Sequence, residues 1–214
     1  MHVTTSSVTV RYDDVLALNA VSLDVKPGTK VVVWGSAGSG KTTLLKALAG
    51  LVRPTTGSVH WSDLDVTSLS VSRRRELQSE LGMVFQSDAL FDSMSVLDNV
   101  LMPLRKRRVP EAEAHQRALE ALTRVGLRDA AQKRPEALSG GMKKRCGVAR
   151  AIVSRPSVLL ADDPFAGLDP VTEQSIASLL LEVSAGRTLI AALPDPIDAL
   201  PVDRVLHLTQ GRVA

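Results

Sequence analysis

Gly35-Ser36-Ala37-Gly38-Ser39-Gly40-Lys41-Thr42 follows the apolar run Val31-Val32-Val33-Trp34 and opens a helical pattern that extends from Lys41 to Ala49. The stretch fits G-x-x-x-x-G-K-(S/T) and stands where such a loop must stand, between a buried strand and a helix that begins inside it. Its glycines let successive backbone N–H groups turn inward as a nest for an anion, reinforced by the helix N-terminus. Lys41 is expected to reach β- and γ-phosphates as a point charge, and the Thr42 hydroxyl to ligate Mg²⁺. The spacing differs from the G-x-G-x-x-G of a dinucleotide-binding fold.

Working outward, residues 3–10 and 21–25 carry strand patterns, with Pro27-Gly28 as the turn after them. Val59–Val66 reads as a further strand, and 71–80 as a charged helix leading into the apolar stretch Leu81–Phe85. A helix opens after Pro110 and stops near Gly126, and another begins near Ser139. Ser157–Ala161 is a short buried strand, 174–183 a helix, Thr188–Leu193 a strand, and 203–214 a closing hairpin turning at Gly211. Strands alternating with helices predict an α/β fold with a largely parallel core sheet.

Composition narrows the function classes. The 214 residues include 26 Lys+Arg against 23 Asp+Glu, 44% hydrophobic residues and 3% aromatics, which excludes intrinsic disorder and makes nucleic acid a poor partner. The lone Cys146 excludes a disulfide framework and a multi-cysteine metal site, and fits a reducing compartment. The first residues have no apolar segment of the secretory kind, and no apolar run nears the roughly 20 residues that span a bilayer.

A loop of this kind needs a second Mg²⁺-holding carboxylate at the end of a buried strand. Val158-Leu159-Leu160-Ala161-Asp162-Asp163 supplies it at Asp162, and Asp163 stands where an attacking water is activated. Leu138-Ser139-Gly140-Gly141-Met142 begins another helix, with Ser139 as N-cap and bare N–H groups behind it. One pocket does not need two anion nests, so this one is expected to serve the phosphate of another subunit.

In these ordered motifs the sequence resembles the ATP-binding-cassette (ABC) transporter ATPases over essentially its whole length. The P-loop lies at 35–42, the Q-loop at Gln86, the LSGG signature at 138–141, Walker B at 158–162 and the D-loop at Ala166-Gly167-Leu168-Asp169. The resemblance implies a P-loop NTPase with a RecA-like core sheet, a small antiparallel β subdomain and an α-helical insert. The chain then forms one ATPase domain over 1–214, in which 1–85 and 151–214 build the β subdomain and core and 86–150 the helical signature subdomain. The implied ligands are ATP and Mg²⁺. Nucleotide contacts fall to Tyr12, which stacks on adenine, to the P-loop residues Gly35, Ser36, Ala37, Gly38, Ser39, Gly40, Lys41 and Thr42, and to Thr43. Ser139, Gly140 and Gly141 act on the partner's nucleotide. Thr42, Gln86 and Asp162 hold the metal, and Asp163, Gln86 and Lys41 are catalytic.

The segment Phe85–Val96 and the signature's Met142 look like the Mla/Mce-type lipid-transport ATPases, as does Pro103-Leu104-Arg105. In the family, 86–105 meets an integral membrane permease, and Leu90, Phe91, Met94, Val96 and Leu97 are expected to fill the receiving groove. The resemblance also implies a second ATP-binding subunit, identical or different, and a place on the cytoplasmic face of the membrane. Basic clusters at Arg105–Arg108 and Lys143–Arg145 read either as attraction to an anionic leaflet or as solvated helix faces, and Arg73–Arg75 as the latter.

Two positions depart from the family pattern. The acid after Walker B is Asp163 in place of Glu, one methylene shorter; a misplacement of about 1 Å can cost on the order of 10²-fold in rate. Pro194 occupies the position of the switch histidine after the last core strand, and it has neither an N–H nor a polar side chain. His115 and His207 lie in the wrong segments to replace it. Two functions follow from these residues: an ATPase that drives a transporter, or an ATP-binding module with weak or no hydrolysis that completes the site of a competent partner. The chain reads as one cassette with no further regulatory domain; a DNA-repair or translation role would call for two cassettes or a long coiled-coil insert.

Overall fold

Apolar and β-branched residues recur at alternate positions in Val3–Tyr12 and Val15–Val25, and in the computed structural model these are β1 and β2, an antiparallel hairpin. The structure describes residues 1–196 and 200–213, apart from the side chain of Ser79. Ser7, at φ 47°, makes a bulge in β1 that changes the inward parity from Val3 and Thr5 to Val8 and Val10. β1 also pairs with β4 (Thr56–Trp61), and β4 with β5 (Leu64–Asp65), giving a four-stranded antiparallel sheet in the order β2-β1-β4-β5. The single strand expected over Val59–Val66 is therefore two, because Ser62 turns the chain at φ 52°.

The second sheet has the order β10-β9-β3-β8-β7-β6. Its parallel members are β3 (Lys30–Trp34), β6 (Leu81–Val84), β7 (Val158–Asp162), β8 (Thr188–Leu193) and β9 (Arg204–Thr209); β10 (Arg212–Val213) closes an antiparallel hairpin. Gln210 and Gly211 turn that hairpin with positive φ at both positions. Ala214, the last residue of the expected hairpin, lies outside the described residues.

The central strands read as continuous apolar runs because both faces are covered. Val31, Val33, Leu160 and Ile190 face one core with α1 (Lys41–Leu48) and the antiparallel sheet, and Trp61 Nε1 donates to Leu48 O at 2.9 Å across it. Val32, Leu159, Leu189 and Ala191 face the other core, with α3 (Val96–Lys106), α4 (Glu111–Arg124), α5 (Gly140–Ile152) and α6 (Pro170–Val183). The chain is an α/β protein, as its strand and helix patterns predict.

Helix α3 contains Pro103 and carries no helix reading from the sequence. Its Val96, Leu97, Val100, Leu101 and Leu104 recur at helical spacing and are buried against Ala114, Ala118 and Leu122 of α4. Val96 and Leu97, expected in a docking groove, are thus core residues, while Phe91 and Met94 are exposed. α2 (Val71–Leu77) is capped by Ser70, and Arg73 pairs with Glu76 on its solvated face. α6 begins four residues earlier than expected, since Asp169 caps it and Pro170 takes its first position. Among the described residues no helix is long and apolar enough to cross a membrane.

Candidate functional site

Parallel strands that point the same way deliver their C-terminal ends to one edge, where ligands of such sheets bind. Here β3 delivers the P-loop, β7 Asp162 and Asp163, β6 Gln86, and β8 Pro194. Backbone bonds bind these ends together: Gly35 N donates to Leu193 O at 3.3 Å, and Asp163 N to Ala192 O at 2.9 Å.

Gly40 closes the loop at φ 106°, and a Cβ there would lie 2.4 Å from Ala17 O, so only glycine fits between loop and β2. Gly40 has no side chain to cap α1, which leaves the first-turn amides without a side-chain acceptor. Ser36, Ala37 and Gly38 are exposed at the loop's crown; Thr43 follows Thr42 in the first turn of the helix. The buried Ser39 Oγ has no hydrogen-bond partner among the described residues. Lys41 Nζ donates to the loop's own carbonyls, Gly35 O at 2.5 Å and Ser36 O at 2.9 Å. Burial lowers its pKa, opposed by the carboxylates of Asp163, Asp162 and Asp195.

Thr42 Oγ1 donates to Asp162 Oδ1 at 2.9 Å, which brings the two expected metal-holding oxygens together. Burial raises the Asp162 carboxyl above its usual range, against the Thr42 hydrogen bond and the charge of Lys46. Asp163 is raised by burial as well, against Lys144 and Lys41, and adopts φ 42°. Gln86 Nε2 donates to Asp163 Oδ2 at 3.3 Å. Hard oxygen donors, an unpartnered buried hydroxyl and uncapped amides fit a phosphate with Mg²⁺. The structure thus brings together Lys41, Thr42, Gln86, Asp162 and Asp163.

Tyr12 ends β1 and is 44% exposed, on the hairpin whose second strand touches Gly40 through Ala17. Ser139, Gly140 and Gly141 lie outside this hydrogen-bonded group, at the start of α5, where Ser139 Oγ accepts from Met142 N at 3.3 Å. A Cβ on Gly141 would stand 2.8 Å from Thr172 Cγ2, and the Thr172 hydroxyl donates to Asp169 Oδ2 at 2.6 Å. The start of α5 therefore packs against the Thr172 side chain that is bonded to Asp169. Pro194 is exposed just beyond β8, and His207 stacks on Trp34 with ring centroids 4.0 Å apart.

Two side chains near the site are invisible as such in the sequence. Lys144 reads as part of a basic run, yet it is buried, and its neighbour Arg145 donates to Val125 O and Ser175 Oγ, so this cluster is no leaflet-facing patch. Arg105 likewise is held by Asp98 and Glu111. Asn99, fully buried on α3, fastens the segment after Gln86 by accepting from Phe91 N and donating to Phe91 O. An isolated asparagine amid apolar α3 positions is the one signal that could have marked it.

Similarity to known proteins agrees with this geometry. The methionine import ATP-binding protein MetN of Brucella abortus (strain 2308) is 38% identical over 206 residues, which are 95% of this chain and 56% of that protein. The chain thus spans little more than half of that relative's length. The phosphonates import ATP-binding protein PhnC of Wolinella succinogenes is 38% identical over 220 residues, covering 97% of this chain and 80% of the relative. The ATP-binding cassette MJ0796, solved as a dimer in a post-hydrolysis state bound to ADP and Pi, matches with a TM-score of 0.90 at 31% identity, over 99% of this chain and 96% of that one. Residues 18–166 match the profile of the ABC transporter family, a span that takes in the P-loop, Gln86 and the Asp162–Asp163 strand end, and this chain belongs to that family.

Proposed function

We propose that the protein is the ATP-binding and ATP-hydrolysing subunit of an ABC transporter, seated on the cytoplasmic face of a membrane. The observation that carries this is the 2.9 Å hydrogen bond between Thr42 and Asp162, beside Gln86 and Asp163. Bound Mg²⁺ would supply charge neutralisation on the phosphates. Lys41 would exchange its loop carbonyls for the phosphates; Thr42 and Asp162 would hold the metal with Gln86, and Asp163 would take the proton of the attacking water. Tyr12 and Thr43 complete the cis nucleotide contacts. Ser139, Gly140 and Gly141 reach the nucleotide of a second ATP-binding subunit, with 86–150 acting as the signature subdomain and 1–85 with 151–214 as the rest.

The permease fits an open groove of about 980 Å³ between α2, β6, α3 and α5, lined by Met83, Phe85, Met102, Pro103, Lys106 and Arg107. Apolar walls with a cationic rim suit an amphipathic segment of a membrane protein. The relatives named for methionine and phosphonate import favour an import-type system. They lend no support to lipid cargo, which rests on Phe85–Val96 and Met142 alone; identifying the permease that co-purifies decides between the two.

The test is phosphate release by the purified chain. Turnover that requires Mg²⁺ and is abolished by Lys41→Ala supports the reading, whereas turnover that survives Lys41→Ala refutes it. A second reading, an ATP-binding module with weak or no hydrolysis, is favoured by Asp163 and Pro194. It predicts a chain that binds ATP, releases little phosphate, and gains turnover on Asp163→Glu with Pro194→His.

A further inference from the structure

The turn that carries Gln86 is conformationally expensive. Asp88 and Ala89 both sit in the left-handed region, at φ 59° and 48°, where non-glycine residues persist only when neighbours hold them. The hold comes from α5. Lys144 Nζ donates to Gln86 O and lies 3.1 Å from Asp88 Oδ1. One helical stretch further on, Arg150 donates to Asp88 O at 2.7 Å and to Ala89 O at 2.5 Å. Lys144 is only 3% exposed, so its ammonium is spent on these partners and not on water. No other donor reaches Asp88 Oδ1 among the described residues.

The residue gripped in this way is the one whose side chain meets Asp163. A carbonyl held by a buried ammonium fixes the Cα of Gln86, and the amide at the end of that side chain then points at the carboxylate. Resting on the hydrolytic reading above, we propose that Lys144 is a positioning residue for hydrolysis in its own subunit, setting Gln86 opposite Asp163. It acts through Gln86 and touches no substrate.

The experiment compares wild type, Lys144→Met, Lys144→Gln and Lys144→Arg as full chains. Phosphate release is followed against ATP concentration, and hydrogen exchange over residues 84–92. Lys144→Met is expected to lower kcat by about 10²-fold, the scale of a misplaced reacting group. KM for ATP stays in place because the P-loop is untouched. Lys144→Arg, which keeps the charge and the donors, returns kcat toward wild type. Exchange over 84–92 quickens in Lys144→Met and not in Lys144→Arg. If Lys144→Met does not fold, Lys144→Gln, which lacks the charge that lies against Asp88, is expected to lower kcat with KM in place. Wild-type kcat in either uncharged variant overturns the proposal. A wild type that releases no phosphate refutes the hydrolytic reading instead, and exchange alone then decides: equal exchange in wild type and Lys144→Met overturns the positioning role, and faster exchange upholds it.

Discussion

Thr42 and Asp162, 120 residues apart in sequence, share a hydrogen bond of 2.9 Å because β3 and β7 both flank β8 and end at the same edge of the sheet. The pair is polar at the mouth of an apolar core, and its geometry is paid for by burying a carboxylate. Asp162→Asn keeps an oxygen for the Thr42 hydroxyl but removes the charge that a divalent cation needs. Phosphate release at saturating ATP is expected to fall on the order of 10²-fold or more, with the loss largest at low Mg²⁺.

The same substitution is expected to stabilise the nucleotide-free protein. Burial raises the Asp162 carboxyl above its usual 3.8, so the folded state holds a proton more tightly than the unfolded chain. Stability from this group is therefore lost as pH rises from the unfolded value through the raised folded one. Thermal unfolding without nucleotide should show Asp162→Asn above wild type at neutral pH, with the difference closing as pH falls into the carboxylate range.

Gly141 tests the contact between the starts of α5 and α6. Adding a methyl there drives it into Thr172 Cγ2 at 2.8 Å, an overpacking that costs about 1–3 kcal/mol. Thr172→Ser removes that carbon and keeps the hydroxyl that donates to Asp169. Gly141→Ala should lower Tm in the wild-type background and raise it in the Thr172→Ser background, where the roughly 0.5–1 kcal/mol helix gain of alanine over glycine is unopposed. A double-mutant cycle in thermal unfolding reads the coupling.

Asn99→Ala should cost about 2 kcal/mol or more. The fully buried amide accepts from Phe91 N at 2.8 Å and donates to Phe91 O at 3.1 Å and Ser95 O at 3.0 Å, and alanine leaves these groups without it. Denaturant unfolding gives the magnitude, and faster amide exchange across 91–95 gives the location.

What the sequence made legible follows from how local each signal is. The P-loop and the Asp162–Asp163 strand end are contiguous, and each carries its own context of apolar strand and glycine or turn. Gln86 and the 139–141 helix start were readable through motif resemblance, without a local physical signal of comparable strength. Helix α3 escaped because Pro103 interrupts the propensity pattern and because Val96, Leu97, Val100, Leu101 and Leu104 look alike whether they face a core or a groove. Lys144, Arg150 and Asn99 escaped for a different reason. Apart from the Asp88 carboxylate beside Lys144, their partners are main-chain carbonyls and amides of irregular turns, and backbone groups leave no mark on composition or periodicity.

All but one of the contacts that Lys144 and Arg150 make with the Gln86 turn fall on main-chain oxygens. A grip on carbonyls does not depend on which side chains the turn displays. Ser87, and the exposed surface that runs on to Phe91 and Met94, can therefore change while Gln86 keeps its place. The make-up of that surface and the placement of Gln86 share the one short stretch 86–94, yet they are free to evolve apart.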